Sequence, residues 1–251
     1  MSALLDARGI TVTFGGVVAN DDVAVHVEEG ELVGVIGPNG AGKTTFIDAI
    51  TGFVPCHGQV RLGDTELGGL DAAQRARAGL VRTWQSVELF DDLTVGENLA
   101  VATDRPRRFD LLRELVGRPP RPPAERIAET LARVGLPDVA GALPHELSHG
   151  QRTLVGVARS LVARPRLLCL DEPAAGLDET ESAALGRLLR QLLAEELGLL
   201  LVDHDMALVM GVCDRIYVMD TGRVIAQGTP DEVRADPRVL DAYLGTEEAS
   251  A

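Results

Sequence analysis

The sequence predicts an α/β fold: a sheet with parallel strands at its centre, an antiparallel strand region near the N-terminus and a mainly helical inserted lobe. Three observations carry this expectation. Short apolar runs at residues 32–36, 167–170 and 199–202 alternate with segments of helical spacing, as in strands buried on both faces and joined by helices. The first of these runs leads through a glycine-rich loop into a helix. Residues 88–163 carry no strong strand signal.

Taken in order, residues 10–14 and 23–27 alternate or run apolar and read as strands. Residues 32–36 form a buried strand, 44–51 the helix after the glycine-rich loop, and 60–62 another short strand. Thr94-Val95-Gly96-Glu97 is a capping box opening a helix with Leu99 and Val101. Residues 105–126 hold seven arginines, five prolines and three acids. The prolines forbid a continuous helix, so this is a loop or a broken helical insert. Its charge serves either as a solvated face or as a contact for lipid headgroups or a partner. Residues 124–134 and 152–163 are helical by spacing. Leu185, Leu188, Leu189, Leu192 and Leu193 form an amphipathic stripe. Residues 199–202 are a buried strand ending at Asp203-His204. Residues 215–219 and 224–227 flank Asp220-Thr221-Gly222 as a hairpin. Thr229-Pro230-Asp231-Glu232 combines an N-cap, a first-turn proline and a capping glutamate. The expected organisation is one domain, with 1–87 and 164–251 as the core and 88–163 as the helical lobe.

At 251 residues the chain is long enough to bury a full core. Its net charge of −14, from 38 acidic and 24 basic residues, argues against DNA or RNA as the main partner. Cys56, Cys169 and Cys213 form no C-x-x-C pair, which suits a reduced cytosolic protein. Cys169 reads as core, and Cys56-His57 offers too few ligands for a metal site. No apolar run approaches the ~20 residues of a membrane span, and residues 1–9 lack a signal-peptide pattern. Any membrane role is therefore expected to run through a partner. No repeat of 20–50 residues is evident.

The glycine-rich loop is Gly37-Pro38-Asn39-Gly40-Ala41-Gly42-Lys43-Thr44-Thr45, a full G-x-x-x-x-G-K-T phosphate loop. Glycines at 37, 40 and 42 let backbone N–H groups approach phosphates. Lys43 is placed to bridge β- and γ-phosphates, and Thr44 to hold Mg²⁺. Ser148-His149-Gly150-Gln151 opens a helix and offers N–H groups, a hydroxyl and a positive helix end to an anion. Downstream, an apolar strand ends in Asp171-Glu172. Asp171 is placed to steer Mg²⁺ through water, and Glu172 to orient or deprotonate the attacking water.

A phosphate loop, a Ser-x-Gly-Gln turn and an acidic strand in that order resemble the ATP-binding-cassette (ABC) ATPases, which have a P-loop NTPase core. The resemblance implies that the Ser148–Gln151 turn closes over the γ-phosphate of a nucleotide held by a second subunit. It implies that Gln85 meets Mg²⁺ and the water, and that its loop senses the transporter. His204, which alone fits a satisfied buried histidine, becomes the switch residue touching the γ-phosphate. Gly176-Leu177-Asp178 becomes the loop that runs across to the partner subunit. Phe14 stacks on adenine in such proteins, although its residue type fits plain core equally.

Within the superfamily several segments resemble the ATPase subunits of bacterial branched-chain amino acid uptake systems, a group that also serves urea and short amides. They are Phe14-Gly15-Gly16, residues 81–85, Leu93-Thr94-Val95-Gly96-Glu97-Asn98-Leu99, residues 171–177, Gly228-Thr229-Pro230 and Ala242-Tyr243-Leu244-Gly245. The implied assembly is two ATPase subunits, identical or related, under two transmembrane permease subunits. An extracytoplasmic solute-binding protein feeds it, and the ATPases lie on the cytoplasmic face of the membrane. Leu89 and Phe90 are expected either to line the groove for a permease helix or to be buried in the lobe. The chain departs from the pattern in four places: Trp84 for Phe, Asp203 for Glu, His149 for Gly, and Thr153-Leu154 for two basic residues. None removes a group needed for hydrolysis. A lipid or lipopolysaccharide exporter ATPase shares the same core and is the nearer alternative. Soluble cassette ATPases of DNA repair or translation usually carry fused units, coiled coils or zinc inserts, which this acidic chain lacks. A module that binds without hydrolysing is disfavoured by Glu172 and His204 together.

Overall fold

The computed structural model describes residues 3–83, 89–103 and 124–248. The chain divides into two compact units, Met1–Gln85 with Pro165–Ala251, and Ser86–Arg164. The arginine- and proline-rich segment at 104–123, and the segment 84–88 with Trp84 and Gln85, lie outside the described residues.

In the first unit, β3 (Leu32–Ile36), β7 (Leu167–Asp171) and β8 (Gly198–Val202) are buried at every position. They form the parallel centre of a sheet ordered β10-β9-β3-β8-β7-β6 among the described residues. Here β6 is Leu80–Arg82, β9 Arg215–Asp220 and β10 Arg223–Gly228. Strands with helices on both faces have no solvent side, which is why these sequences are runs and do not alternate. The β9–β10 turn places Thr221 at φ 45° and Gly222 at φ 78°. Two positive φ values are what a two-residue primed turn requires.

A second, antiparallel sheet has the order β2-β1-β4-β5, formed by β1 (Leu5–Phe14), β2 (Val17–Val27), β4 (His57–Leu62) and β5 (Thr65–Glu66). Both β1 and β2 run longer than their apolar patterns imply. Register shifts between Ala7 and Thr13 break the alternation that marks a strand in sequence. Helix α1 (Lys43–Thr51) packs against both sheets and buries Phe46, Ile47 and Ile50 completely.

Helix α2 (Ala72–Ala78) has no apolar stripe and is not legible from periodicity. It is held by an Asp71–Gln74 capping box and by Arg75, whose guanidinium donates to Ala49 O and Ile50 O at 2.9 and 2.7 Å. The side chain of one helix thereby caps the carbonyl end of another, where Ala49 O also accepts from Gly52 N at 3.2 Å.

The second unit is helical in its described residues: α3 (Val95–Thr103), α4 (Ala124–Arg133) and α5 (His149–Leu161) pack on one another. Buried Asn98 fixes the approach to α3. It accepts from Phe90 N at 2.8 Å and donates to Phe90 O, Leu93 O and Thr94 O. The first unit continues with α6 (Glu179–Leu193), α7 (Met206–Val212), α8 (Pro230–Ala235) and α9 (Pro237–Glu248). On α6 the stripe Leu185, Leu188, Leu189 and Leu192 is buried, while Leu193 is half-buried. Among the described residues no helix is long and apolar enough to cross a membrane.

Candidate functional site

The phosphate loop, Gly37 to Thr45, joins β3 to α1 in the first unit. Gly42 caps α1 at φ 94° with no side-chain cap, so the first-turn N–H groups are left for a ligand. A Cβ on Gly42 would meet Ala19 O at 2.5 Å and Asn20 Nδ2 at 2.6 Å, and one on Gly37 would meet Met219 O at 2.0 Å. Only glycine fits either place. The loop is braced from outside: Asn20 Nδ2 donates to Gly42 O at 3.1 Å, and Gly222 N donates to Ala41 O at 3.1 Å. Lys43 is buried and donates from Nζ to Gly37 O at 2.7 Å and Pro38 O at 2.9 Å, which holds the ammonium inside the loop. Burial pushes its pKa down, against the pull of the nearby Glu172 and Asp171 carboxylates. Thr44 is exposed on the first turn, and Thr45 is half-buried beside it.

Asp171 closes β7 with its side chain fully buried. Burial pushes its carboxyl up to about 6, opposed by Arg82. Its Oδ2 accepts from Arg82 at 3.1 Å, and its N donates to Thr83 Oγ1 at 3.2 Å. Its Oδ1 is buried with no hydrogen-bond partner. An orphaned carboxylate oxygen and an exposed threonine hydroxyl are hard oxygen donors of the kind Mg²⁺ takes, so these residues fit that ion.

Glu172 leaves the strand in a left-handed conformation, φ 48°, with its N donating to Val202 O at 2.7 Å. A non-glycine residue held there is strained, and strain of this kind collects at functional sites. His204 is 65 % exposed and carries Nδ1 3.8 Å from Glu172 Oε2 and 3.7 Å from Asp203 Oδ1. The plain buried-histidine reading of His204 is therefore excluded. Asp203, the departure from the usual glutamate, is buried and accepts from Ala174 N and Asp205 N, both at 2.9 Å. It thus ties the end of β8 to the turn after Glu172. Burial raises its pKa, and these donors oppose the rise.

Phe14 is 52 % exposed where the β1–β2 hairpin turns, with Val17 and Val18 exposed beside it. The core reading of Phe14 fails, and an open apolar tip in the phosphate-loop unit suits a flat base. Asp178 is exposed and caps α6 by accepting from Glu181 N at 2.8 Å. In the second unit, Ser148 caps α5: its Oγ accepts from Gln151 N at 3.2 Å, and Gln151 Oε1 accepts from Ser148 N at 3.0 Å. The Ser148 hydroxyl keeps its proton to donate, and no acid sits in the first turn, where His149, Gly150 and Gln151 begin the helix. Gln85 lies outside the described residues.

Sequence reasoning missed Arg82, Asp48 and Asn20, which brace these groups from distant elements. An arginine at the third position of a short strand carries no local signal that would have found it.

Two family models match: that of the ABC transporter over residues 20–175, and that of the branched-chain amino acid ATP-binding cassette transporter over residues 223–249. The chain is 42% identical over 249 residues to the high-affinity branched-chain amino acid transport ATP-binding protein LivG of Salmonella typhimurium, covering 96% of this chain and 98% of that protein. It is 34% identical over 244 residues to the lipopolysaccharide export system ATP-binding protein LptB of Escherichia coli, covering 97% and 98%. Among solved structures, a nucleotide-free ATP-binding cassette from an ABC transporter superposes with a TM-score of 0.86 at 29% identity, covering 97% of this chain and 99% of that one.

Proposed function

The chain belongs to the ABC transporter ATP-binding family, and from that membership we infer that it is the ATP-hydrolysing subunit of an importer for branched-chain amino acids or related small polar solutes. The importer reading is supported by the higher identity to LivG than to LptB, and by the second family match near the C-terminus. One observation carries the ATPase reading. Glu172 is held in a strained backbone with its carboxylate 3.8 Å from His204 Nδ1, and its charge acts on the phosphate-loop Lys43.

ATP would lie with its base on Phe14 and its phosphates along the N–H groups of Gly40, Ala41, Gly42, Lys43, Thr44 and Thr45. Lys43 places its charge between the β- and γ-phosphates. Mg²⁺, held by Thr44 and Asp171 with Gln85, would neutralise charge on the phosphate oxygens. Glu172 takes a proton from the attacking water as the water oxygen bonds to the γ-phosphorus and the bond from that phosphorus to the β–γ bridging oxygen breaks, so that the electron pair leaves with ADP and the γ-phosphoryl group becomes inorganic phosphate. His204 holds the γ-phosphate and Glu172 in register. Ser148, Gly150 and Gln151 of a second ATPase subunit, identical or related, close the site, with Asp178 on the loop that reaches across. Permease subunits hold the pair at the cytoplasmic face of the membrane, where half-exposed Phe90 is a contact for them.

The test is Glu172→Gln. It should keep ATP binding, lower turnover by about 10²–10⁴-fold, and accumulate an ATP-bound dimer on size exclusion. Turnover at the wild-type rate would overturn the assignment. Deleting the gene should abolish uptake of labelled leucine or a related solute and leave lipopolysaccharide export intact. The reverse would favour the exporter.

A further inference from the structure

Arg82 ends β6 with its side chain only 5% exposed. One guanidinium nitrogen donates to Asp48 Oδ1, another donates to Asp171 Oδ2 at 3.1 Å, and Nε donates to Thr83 O at 3.3 Å. The Phe53 ring lies 5.5 Å from the guanidinium carbon. Asp48 is on α1, one turn beyond Thr44. Asp171 is at the end of β7, paired in register with β6. One rigid, planar group therefore spans the helix that carries Thr44 and the strand that carries Asp171.

The consequence for Asp171 is specific. A carboxylate rotates readily about its terminal torsion. Arg82 occupies Oδ2, and the backbone of the same residue is pinned to Thr83 Oγ1 at 3.2 Å, so Oδ1 is left as the oxygen with no partner. A fork with fixed geometry does this better than a point charge would, because two of its donors engage two acids on separate elements at once.

We propose that Arg82 is a positioning residue for the Mg²⁺ donors: it aims Asp171 Oδ1 and sets the spacing between the Asp171 strand and the Thr44 helix. This rests on the reading that Thr44 and Asp171 hold Mg²⁺. The competing account is that Arg82 neutralises two acids and supports the fold. Loss of a buried pair costs stability in either case, so stability alone does not separate the two.

The experiment measures equilibrium binding of a fluorescent ATP analogue to the full chain, in EDTA and across a Mg²⁺ titration. The proteins are wild type, Arg82→Lys, Arg82→Met and Asp48→Asn. Lysine keeps a positive charge but not the fork. Arg82→Lys should bind the analogue in EDTA as wild type does, and should need about tenfold more Mg²⁺ to gain the Mg²⁺-dependent affinity. Asp48→Asn frees only the α1 arm and should shift the Mg²⁺ requirement in the same direction by less. Arg82→Met should shift it at least as far as lysine does. A Mg²⁺ midpoint unchanged from wild type in both folded Arg82 variants would overturn the proposal, whatever their melting temperatures. If both fail to fold, Asp48→Asn decides alone: an unchanged midpoint there overturns it. Wild-type protein that binds no analogue would instead overturn the ATPase reading beneath the proposal, and wild-type binding that ignores Mg²⁺ would overturn the reading that Thr44 and Asp171 hold that ion.

Discussion

Helix α1 begins at Gly42 with no side-chain cap, whereas α5 begins at Ser148, whose hydroxyl accepts from Gln151 N while Gln151 returns the bond to Ser148 N. Both helix starts offer a positive end to an anion. The first has no side-chain cap, and within its loop only Lys43 Nζ on Gly37 O and Pro38 O and Ala41 N on Pro38 O are bonded among the described residues. It is braced further by Asn20 and Gly222, which are far away in sequence and bond to Gly42 O and Ala41 O. The second satisfies itself within four residues and contributes a hydroxyl proton and part of a helix end. Under the proposed function, the first turn would bind a whole triphosphate and the second would complete a site built by another chain.

The largest effect expected from that contrast comes from breaking each start in turn. Lys43→Ala should lose nucleotide binding by the subunit itself. Ser148→Arg should keep that binding and lose hydrolysis, because the bulky side chain would sit where the proposed function docks a partner's γ-phosphate. Each variant alone should be inactive, but if Ser148 acts across the dimer a mixed dimer would hold one site with both defects and one with neither. With random pairing and independent sites, mixing should restore hydrolysis to about a quarter of wild type. A mixture that stays inactive although mixed dimers form, and although one-site hydrolysis occurs in this protein, would refute action of the Ser148 turn across the dimer.

A smaller effect tests the bracing at the start of α1. Gly40 sits at φ 81° with nothing within 4 Å of an added Cβ, whereas Gly42 is walled in by Ala19 and Asn20. Gly40→Ala should cost about 1 kcal/mol through its left-handed backbone alone. Gly42→Ala should cost roughly 2–3 kcal/mol and weaken ATP binding as well. Equal losses in denaturant unfolding would mean that α1 is not held by those neighbours.

The smallest effect separates cap from ligand at Ser148. Ser148→Ala should destabilise the helical unit by about 1 kcal/mol. Ser148→Asp keeps the cap and should leave stability within about 0.5 kcal/mol of wild type, yet it should abolish hydrolysis because its charge opposes the phosphate. Retained hydrolysis in the aspartate variant would mean that Ser148 serves only its own helix.

Most of the fold was legible where the determinant is local. The runs at β3, β7 and β8, the α6 stripe, the capping boxes at Thr94 and Thr229, and the Thr221-Gly222 turn each declare themselves within a few residues. Helix α2 was not legible, because a buried arginine and a cap hold it where a stripe would have announced it. Helix α7 (Met206–Val212) was missed because it is too short to show a period; Asp205 starts it by accepting from Leu208 N at 3.0 Å. Helix α9 was missed as well, and Tyr243 on it reaches Met206 Sδ at 3.9 Å.

The sequence by itself determined the chemistry on offer: a phosphate loop behind a buried strand, two carboxylates behind another, and a self-capped serine turn. Each is a short pattern in which composition and backbone geometry are the same fact. Only the tertiary structure decided how those groups are aimed. Glu172 is driven into a left-handed backbone by its bond to Val202, 30 positions away, and Asp171 is pinned by Arg82 from 89 positions away. Asp203, read in the sequence as a mere departure, proves to brace Ala174 across 29 positions. Such contacts join elements whose separation along the chain has no period, so nothing in a local window records them until the sheet has brought the strands together.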